Sequence, residues 1–186
     1  MENLIGKDFK PTAETISIHG LGFLQVKLPA NKRLHVWHPD LPRRKCYAYS
    51  AVHNHRFSFK STVLIGTQLN RRVNLIMHPE GTHDVISHDG PRHPTGSRES
   101  FVAGRVNLQL GRIEEYKPSE SYHMAELEYH YTPNSGVVVT LMEKLTEGKI
   151  HATSLIERPH VFDQTFDRFQ WSPARLWEIV VKALAQ

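Results

Sequence analysis

The stretch at residues 51–69, AVHNHRFSFKSTVLIGTQL, places two histidines just before an apolar run that ends at a glycine. His53 and His55 are two positions apart, and residues two apart on an extended strand project from the same face. Both imidazoles can therefore approach one metal ion from one wall, which suits histidine ligation in a β protein. The run at 62–65 predicts a strand that turns at Gly66.

The same short alternating pattern recurs along most of the chain. Apolar and polar residues alternate in short segments that are bounded by Gly, Pro, Asn and Asp, which is typical of strands joined by turns. These segments lie at residues 15–18, 23–28, 34–37, 47–52, 62–65, 73–77, 106–110 and 136–142. The pattern predicts an all-β domain of about nine or ten strands, a sandwich or a barrel.

One segment, residues 172–185, has helical periodicity instead. Ser172 is a good N-cap and Pro173 suits the first helical position. Leu176 and Val180 fall on one apolar stripe of this segment, so we expect a terminal helix packed on the outside of the sheet. A length of 186 residues predicts a single domain that spans 1–186.

The composition contains 13 histidines but only one cysteine, Cys46. A single cysteine excludes an intramolecular disulfide and a cysteine-based zinc cluster within one chain. No apolar run reaches the about 18–20 residues that cross a bilayer, and residues 1–14 lack the apolar centre of a secretory signal. We therefore expect a cytoplasmic protein with no membrane partner.

The formal net charge is +4, and the basic residues occur in short groups. No zinc-finger, RRM or basic-zipper pattern is present, so the charge gives little support for nucleic-acid binding. A small molecule is the expected ligand, and an anionic one is slightly favoured.

Residues 79–100 are rich in histidine, glycine and proline and have no sustained apolar period. A long irregular segment inside a compact domain is usually a lid, a binding loop or disordered. Two interpretations stay open at this point: a surface loop, or a flap over the mouth of a barrel.

The stretch at 51–69 resembles the first motif of the cupin superfamily, in which two histidines are followed by a glutamate and by a glycine at a turn. Residues 116–142, YKPSESYHMAELEYHYTPNSGVVVTLM, resemble the second motif, with a proline-containing turn, a strand, a histidine and another strand. The resemblance implies a double-stranded β-helix, or jelly-roll barrel, with the C-terminal helix added. The chain departs from the family where Phe59 or Lys60 replaces the glutamate, and where 79–100 lengthens the gap between motifs.

The second motif offers His130 and His123 as the third metal ligand. The resemblance favours His130, because the family's ligand follows the turn and precedes a strand. Unbroken alternation through this region would give a poor buried face, so we expect a bulge or turn at 125–128. Glu126 is a carboxylate alternative.

Three neutral imidazoles suit Fe, Zn, Ni or Mn without selecting among them, and they leave a coordination position open. A three-histidine cupin without the glutamate is similar to the thiol dioxygenases, so the resemblance implies an Fe(II)-dependent oxygenase. Candidate substrate-binding residues near such a site are Arg56, Phe57, Tyr122 and Arg112. The residue after the histidine pair is Arg56 rather than cysteine, so the cysteine–tyrosine crosslink of the animal enzymes does not carry over.

Other interpretations remain open from the residues alone. The chain could be a non-catalytic cupin that binds a small anionic or sugar-type ligand, a metal-dependent isomerase or hydrolase, or a cupin that has lost its metal. Cupins commonly pair through edge strands, so the resemblance also implies a homodimer. No catalytic residue is identified.

Overall fold

Residues 9–186 are described in a computed structural model of the chain, and they form mostly β structure with one C-terminal helix. The expectation that the chain lacks a secretory signal concerns residues 1–8 in part, which lie outside the described residues. The strands are β1 (Ile16–His19), β2 (Phe23–Lys27), β3 (Lys32–Trp37), β4 (Phe59–Ile65), β5 (Gln68–Met77), β6 (His83–Ser87), β7 (Phe101–Tyr116), β8 (Ser121–Met124), β9 (Tyr129–Tyr131), β10 (Val138–Lys144) and β11 (Thr153–Glu157). The helix α1 is Pro173–Leu184.

The strands form two antiparallel sheets. One has the order β1-β2-β3-β10-β4-β8, and the other has the order β11-β6-β7-β5-β9. The second sheet is curled, because its two edge strands both form backbone bridges to His53. The prediction of an all-β domain with a C-terminal helix is confirmed.

The helix α1 covers the outer face of strands β1–β3. Alternate apolar residues of these strands pack in one cluster with residues of the helix; the cluster includes Ile16, Ile18, Leu24, Val26, Leu34, Val36, Leu176 and Val180. The residues between them on the strands face the opposite way and line an internal cavity. The alternate apolar residues of these strands therefore pack against the helix, and their opposite face, which is mostly polar but includes Phe23 and Trp37, lines the interior.

The N-terminus of α1 begins as the sequence predicts. The side chain of Ser172 accepts a hydrogen bond from the Arg175 amide at 3.3 Å, and Pro173 occupies the first turn. No helix within residues 9–186 has both the length and the apolar character that crossing a bilayer requires.

The predicted strand at 47–52 is wrong. The chain forms a short 3-10 turn at Lys45–Ala48 instead. Cys46 packs with Ile156, whereas Val52 belongs to a different apolar cluster with Leu155. The apolar residues of this run therefore pack into two different clusters, whereas the residues on one face of a strand would pack into one.

The segment at 79–100 is only partly irregular. Its first part contains β6, which pairs with β7 and β11. The strand escaped prediction because its residues, HDVIS, are half polar and lie among turn-forming residues. The rest packs against the 163–169 segment: Ser97 Oγ donates to the Phe166 carbonyl at 2.7 Å, and the Arg168 amide donates to the Thr95 carbonyl at 3.0 Å.

The expected break at 125–128 is present. Strand β8 ends at Met124 and β9 begins at Tyr129, with Leu127 between them at a φ of 59°. Tyr122 and Met124 are both buried, as the broken alternation requires. The turn reverses the chain and brings His130 onto the curled sheet.

Candidate metal centre

Three histidines converge at the point where the curled sheet closes. The ligand nitrogens of His53, His55 and His130 all lie within 4.8 Å of one another. Nε2 of His55 lies 3.1 Å from Nε2 of His130. The structure therefore brings together the three residues that the sequence favours as ligands, in a buried group that could hold a metal ion.

The distance between the two Nε2 atoms fits two ligands of one ion. Nitrogens bound at about 2.0–2.1 Å lie roughly 3.0–3.4 Å apart when the bond angle is about 90–110°. Two unprotonated nitrogens at this separation repel each other unless a cation or a hydrogen lies between them. Burial lowers the pKa of His53, His55 and His130 below the ordinary histidine value, which favours the neutral, metal-binding form.

Backbone hydrogen bonds hold the 53–55 segment in place from both sides. The amides and carbonyls of His53 and His130 exchange two hydrogen bonds of 2.9 Å each. On the other side the Asn54 amide donates to the Thr153 carbonyl at 3.0 Å, and the Thr153 amide donates to Asn54 Oδ1 at 2.7 Å. The extended segment thus lies between β9 and β11 and presents His53 and His55 on one side.

Hydrogen bonds at Nδ1 orient two of the three rings. His53 Nδ1 lies 2.9 Å from the Ala51 carbonyl, and His130 Nδ1 lies 2.7 Å from Asn70 Oδ1. A carbonyl or amide oxygen can only accept, so each Nδ1 carries the hydrogen and each Nε2 keeps its lone pair. Metal-ligating histidines usually have such a partner on the second ring nitrogen.

Asn70 belongs to a larger polar network behind His130. Its Nδ2 donates to Glu114 Oε2 at 3.2 Å, and Arg72 Nε donates to Glu114 Oε1 at 3.0 Å. Arg72 also pairs with Glu128, in the turn that precedes His130. The network therefore connects the orientation of the His130 ring to the turn that positions its strand.

Sequence reasoning missed Asn70 as a functional residue. It lies on β5 and is completely buried, at 0 % exposure, and Gln68 two positions earlier is 1 % exposed. Polar residues at two successive inward positions of a strand are a signal that could have identified it, because buried polar groups need specific partners.

The alternative ligands lie away from the histidine group. His123 is exposed on β8, and its carbonyl accepts a hydrogen bond from Arg72 at 2.9 Å. Glu126 is exposed and accepts a hydrogen bond from Thr146. Phe59 occupies the site side of β4, with its ring centroid 5.2 Å from that of His55, whereas Lys60 is exposed.

Three of the four candidate substrate-binding residues reach the cavity beside the histidines. Arg56, Phe57 and Tyr122 line it, whereas Arg112 is exposed on β7 and is not part of its wall. The side chain of Arg112 lies on a solvent-exposed position of β7. Burial raises the pKa of Tyr122 to about 12, so its hydroxyl stays protonated at neutral pH.

The cavity has a volume of about 880 Å³, which is within the range of small-molecule sites. All three clustered histidines line it, and so do residues 92, 93 and 96–98 of the irregular segment. Of the 13 histidines in the chain, eight line this one cavity. The irregular segment therefore contributes to the wall of the cavity, which the flap interpretation anticipates.

Comparison with known proteins finds no match, either among protein-family models or among curated proteins.

Proposed function

We propose that the chain is a cupin-type metal protein in which His53, His55 and His130 hold one divalent transition metal. The observation that carries this proposal is the convergence of three largely neutral imidazoles, two of them oriented through Nδ1, on one wall of a cavity. The two motifs that resemble cupin motifs supply these residues, one from the 53–55 segment and one from β9. The curled sheet is consistent with a jelly-roll barrel.

We propose Fe(II) as the metal and an oxygenase reaction similar to that of the thiol dioxygenases, with Zn, Ni or Mn as the alternatives. Fe(II) bound by three imidazoles supplies Lewis acidity and one-electron redox chemistry towards O₂. The residue at the glutamate position supports this choice, because Phe59 leaves a neutral three-histidine set of ligands. The rings of Phe57 and Phe59 lie beside that of His55, at centroid distances of 5.1 and 5.2 Å, and Tyr122 offers a protonated hydroxyl to the cavity.

Elemental analysis of protein purified without a histidine tag tests the metal centre. We expect about one equivalent of transition metal per chain, lost in His130→Ala and kept in His123→Ala. His123 is the matched control because it is exposed, on the strand that precedes the same turn. Protein that contains no metal, and whose melting temperature does not change on chelation or metal addition, would disprove the metal centre.

Measurement of oxygen uptake tests the oxygenase reaction independently of metal binding. Iron-loaded protein should consume O₂ when a small aliphatic thiol is added, and His53→Ala should not. A bound metal without thiol-dependent oxygen uptake would disprove the oxygenase and favour an isomerase, in which the ion polarises a carbonyl. A non-catalytic cupin that binds an anion is the second candidate, and the excess of cationic side chains in the cavity favours it.

The proposal includes a cytoplasmic location and a homodimer that pairs through an edge strand. Strands β1 and β8 are the edges of the six-stranded sheet. Light scattering of the purified protein should give twice the mass of one chain. A mass of 21.4 kDa would disprove the dimer and leave the metal site unaffected.

A further inference from the structure

The inner face of strands β1–β3 is mostly polar, apart from the buried rings of Phe23 and Trp37. Its residues line the cavity; they include Ser17, His19, Gln25, Lys27, Arg33 and His35. Polar and charged groups that face an interior cost free energy unless partners satisfy them. The polar face therefore indicates a ligand that supplies those partners.

Positive charge dominates the cavity. Among residues 9–186, eight lysine and arginine side chains line it, against two carboxylates, those of Glu14 and Glu147. Glu147 already pairs with Arg56 and Lys144 near the mouth. The cationic excess of this one cavity is larger than the formal net charge of +4 for the whole chain.

Arg33, Arg92 and Arg168 are three of the six cavity cations that form no salt bridge within residues 9–186. Arg33 contacts the Phe57 ring, with its guanidinium carbon 5.3 Å from the ring centroid. Arg92 donates to the Gly96 carbonyl at 3.1 Å, and Arg168 donates to the Ile18 carbonyl at 3.2 Å. Each of these groups keeps unused donors, because a guanidinium has five N–H groups.

The three guanidinium groups line the same cavity. Burial lowers the pKa of Arg168 to about 10, with Arg92 and Arg33 adding to the effect. Burial also lowers the pKa of Arg33; the carboxylate of Glu147 opposes this shift, and the cation of Arg92 adds to it. Arginine remains protonated at neutral pH despite these shifts, so all three groups present positive charge to the cavity.

Two buried polar atoms in the cavity wall have no hydrogen-bond partner within the described residues. They are Nε2 of His35 and Nε of Arg44, whose residue is 8 % exposed. Unpartnered buried groups of this kind are rare in folded proteins, and a molecule bound in the cavity would supply the missing partners. They lie on β3 and beside the 3-10 turn, in the same wall as Arg33 and Arg168.

We propose that Arg33, Arg92 and Arg168 form an anion subsite that binds a doubly charged group of the cavity ligand, either a phosphate monoester or a pair of carboxylates. Guanidinium groups bind such oxyanions through paired, charge-assisted hydrogen bonds. Arg33 comes from β3, Arg168 from the segment before the helix, and Arg92 from the irregular segment. An anion bound by all three would therefore connect the sheet to the irregular segment. The anion subsite itself does not depend on the proposed function; only the statement that its ligand is the substrate of the metal centre rests on it.

Thermal denaturation of metal-free protein tests the subsite without the metal. Sodium phosphate, sodium succinate and sodium chloride are compared at equal ionic strength and neutral pH, so that non-specific screening is the same in each. We expect phosphate or succinate to raise the melting temperature progressively with concentration, beyond the effect of chloride. The more effective dianion identifies the head group.

Arg33→Gln and Arg92→Gln should each weaken the apparent affinity for that dianion by about tenfold or more. Arg92→Gln leaves β3 unchanged, since Arg92 lies in the irregular segment, so its effect on affinity does not come from a misfolded β3. Arg112→Gln is the matched control, because Arg112 is exposed on β7 outside the cavity, and it should respond as the unmodified protein does.

Failure of this inference is distinguishable from failure of the metal centre. No dianion effect beyond chloride, or an equal effect in Arg33→Gln, Arg92→Gln and the unmodified protein, would overturn the subsite even if the protein binds metal. A dianion effect that survives in His53→Ala, which should bind no metal, would support the subsite as a separate part of the cavity.

Discussion

His130 donates the hydrogen on its Nδ1 to Oδ1 of Asn70 across 2.7 Å, and both side chains are buried. The amide of Asn70 is itself held, because its Nδ2 donates to Glu114 at 3.2 Å. The orientation of the third candidate ligand therefore depends on a residue from a different strand, β5.

Replacement of Asn70 by alanine should weaken metal binding by about 10–100-fold while the sheet stays folded. The loss follows because the His130 ring would no longer have a fixed tautomer and orientation. Competition with a chromophoric chelator measures the affinity. Asn74→Ala is the control, since Asn74 lies on the same strand but is exposed; equal affinities for both variants would contradict the prediction.

Phe59→Glu should convert the site to a four-ligand set. The Phe59 ring lies 5.2 Å from that of His55 and 6.4 Å from that of His130, measured between centroids. A buried carboxyl group without a metal should destabilise the protein by about 3 kcal/mol or more, because Phe59 is 5 % exposed. Metal should restore much of that stability, so the metal-induced rise in melting temperature should exceed that of the unmodified protein.

The matched variant for this prediction is Phe59→Gln. Glutamine has the size of glutamate but no charge, so it should destabilise the protein without increasing the response to metal. A metal response in Phe59→Glu that is no larger than that in Phe59→Gln would show that this position does not face a metal.

His35 should make the stability of the protein sensitive to acid. Burial, with the nearby cation of Arg33, lowers its pKa to about 3 in the folded chain, against about 6.5 in the unfolded chain. Between these values the unfolded chain binds a proton at this residue and the folded chain does not. The free energy of unfolding should therefore fall as the pH falls from about 6.5 towards 3, by up to about 1.4 kcal/mol per pH unit from this residue.

Urea denaturation of the unmodified protein and of His35→Gln, between pH 7 and pH 4, measures this contribution. The variant should lose less stability than the unmodified protein over that interval, since glutamine does not titrate. Parallel curves for the two proteins would contradict a lowered pKa at His35.

Gly66 should tolerate no side chain. It adopts a φ of 74°, and an added Cβ would lie 2.3 Å from the Val137 carbonyl oxygen. Gly66→Ala should therefore cost about 2 kcal/mol or more of unfolding free energy. Gly136→Ala is the control, because an added Cβ there meets no atom within 4 Å, and it should change stability by at most about 0.5 kcal/mol. Similar losses in both variants would argue against the turn geometry at Gly66.

Local patterns in the sequence predicted the parts of the fold that depend on local chemistry. Ser172 and Pro173 determine where the helix starts, and alternation determines most strands. The break at 125–128 was predictable because unbroken alternation would have buried the wrong face. The spacing of His53 and His55 alone indicates that their rings lie on the same side of the chain.

The parts that were not predictable depend on contacts between distant segments. Periodicity distinguishes the two faces of a strand but does not show which face packs against the helix. The mostly polar inner face of β1–β3 was therefore not predictable. Asn70 reaches the ring of His130 only because β5 runs beside β9. Cys46 and Val52 are neighbours in sequence, and only the folded chain shows that they pack in different clusters.

The backbone bridges of His53 have a consequence for folding kinetics. One bridge reaches β9 and the other reaches β11, two strands that follow much later in the chain. Such non-local pairings form slowly because a large loop entropy must be overcome first. The three histidines therefore come together only when β9 pairs with the 53–55 segment, a late and non-local step. For the proposed metal centre, the rate of metal binding during refolding should report this pairing.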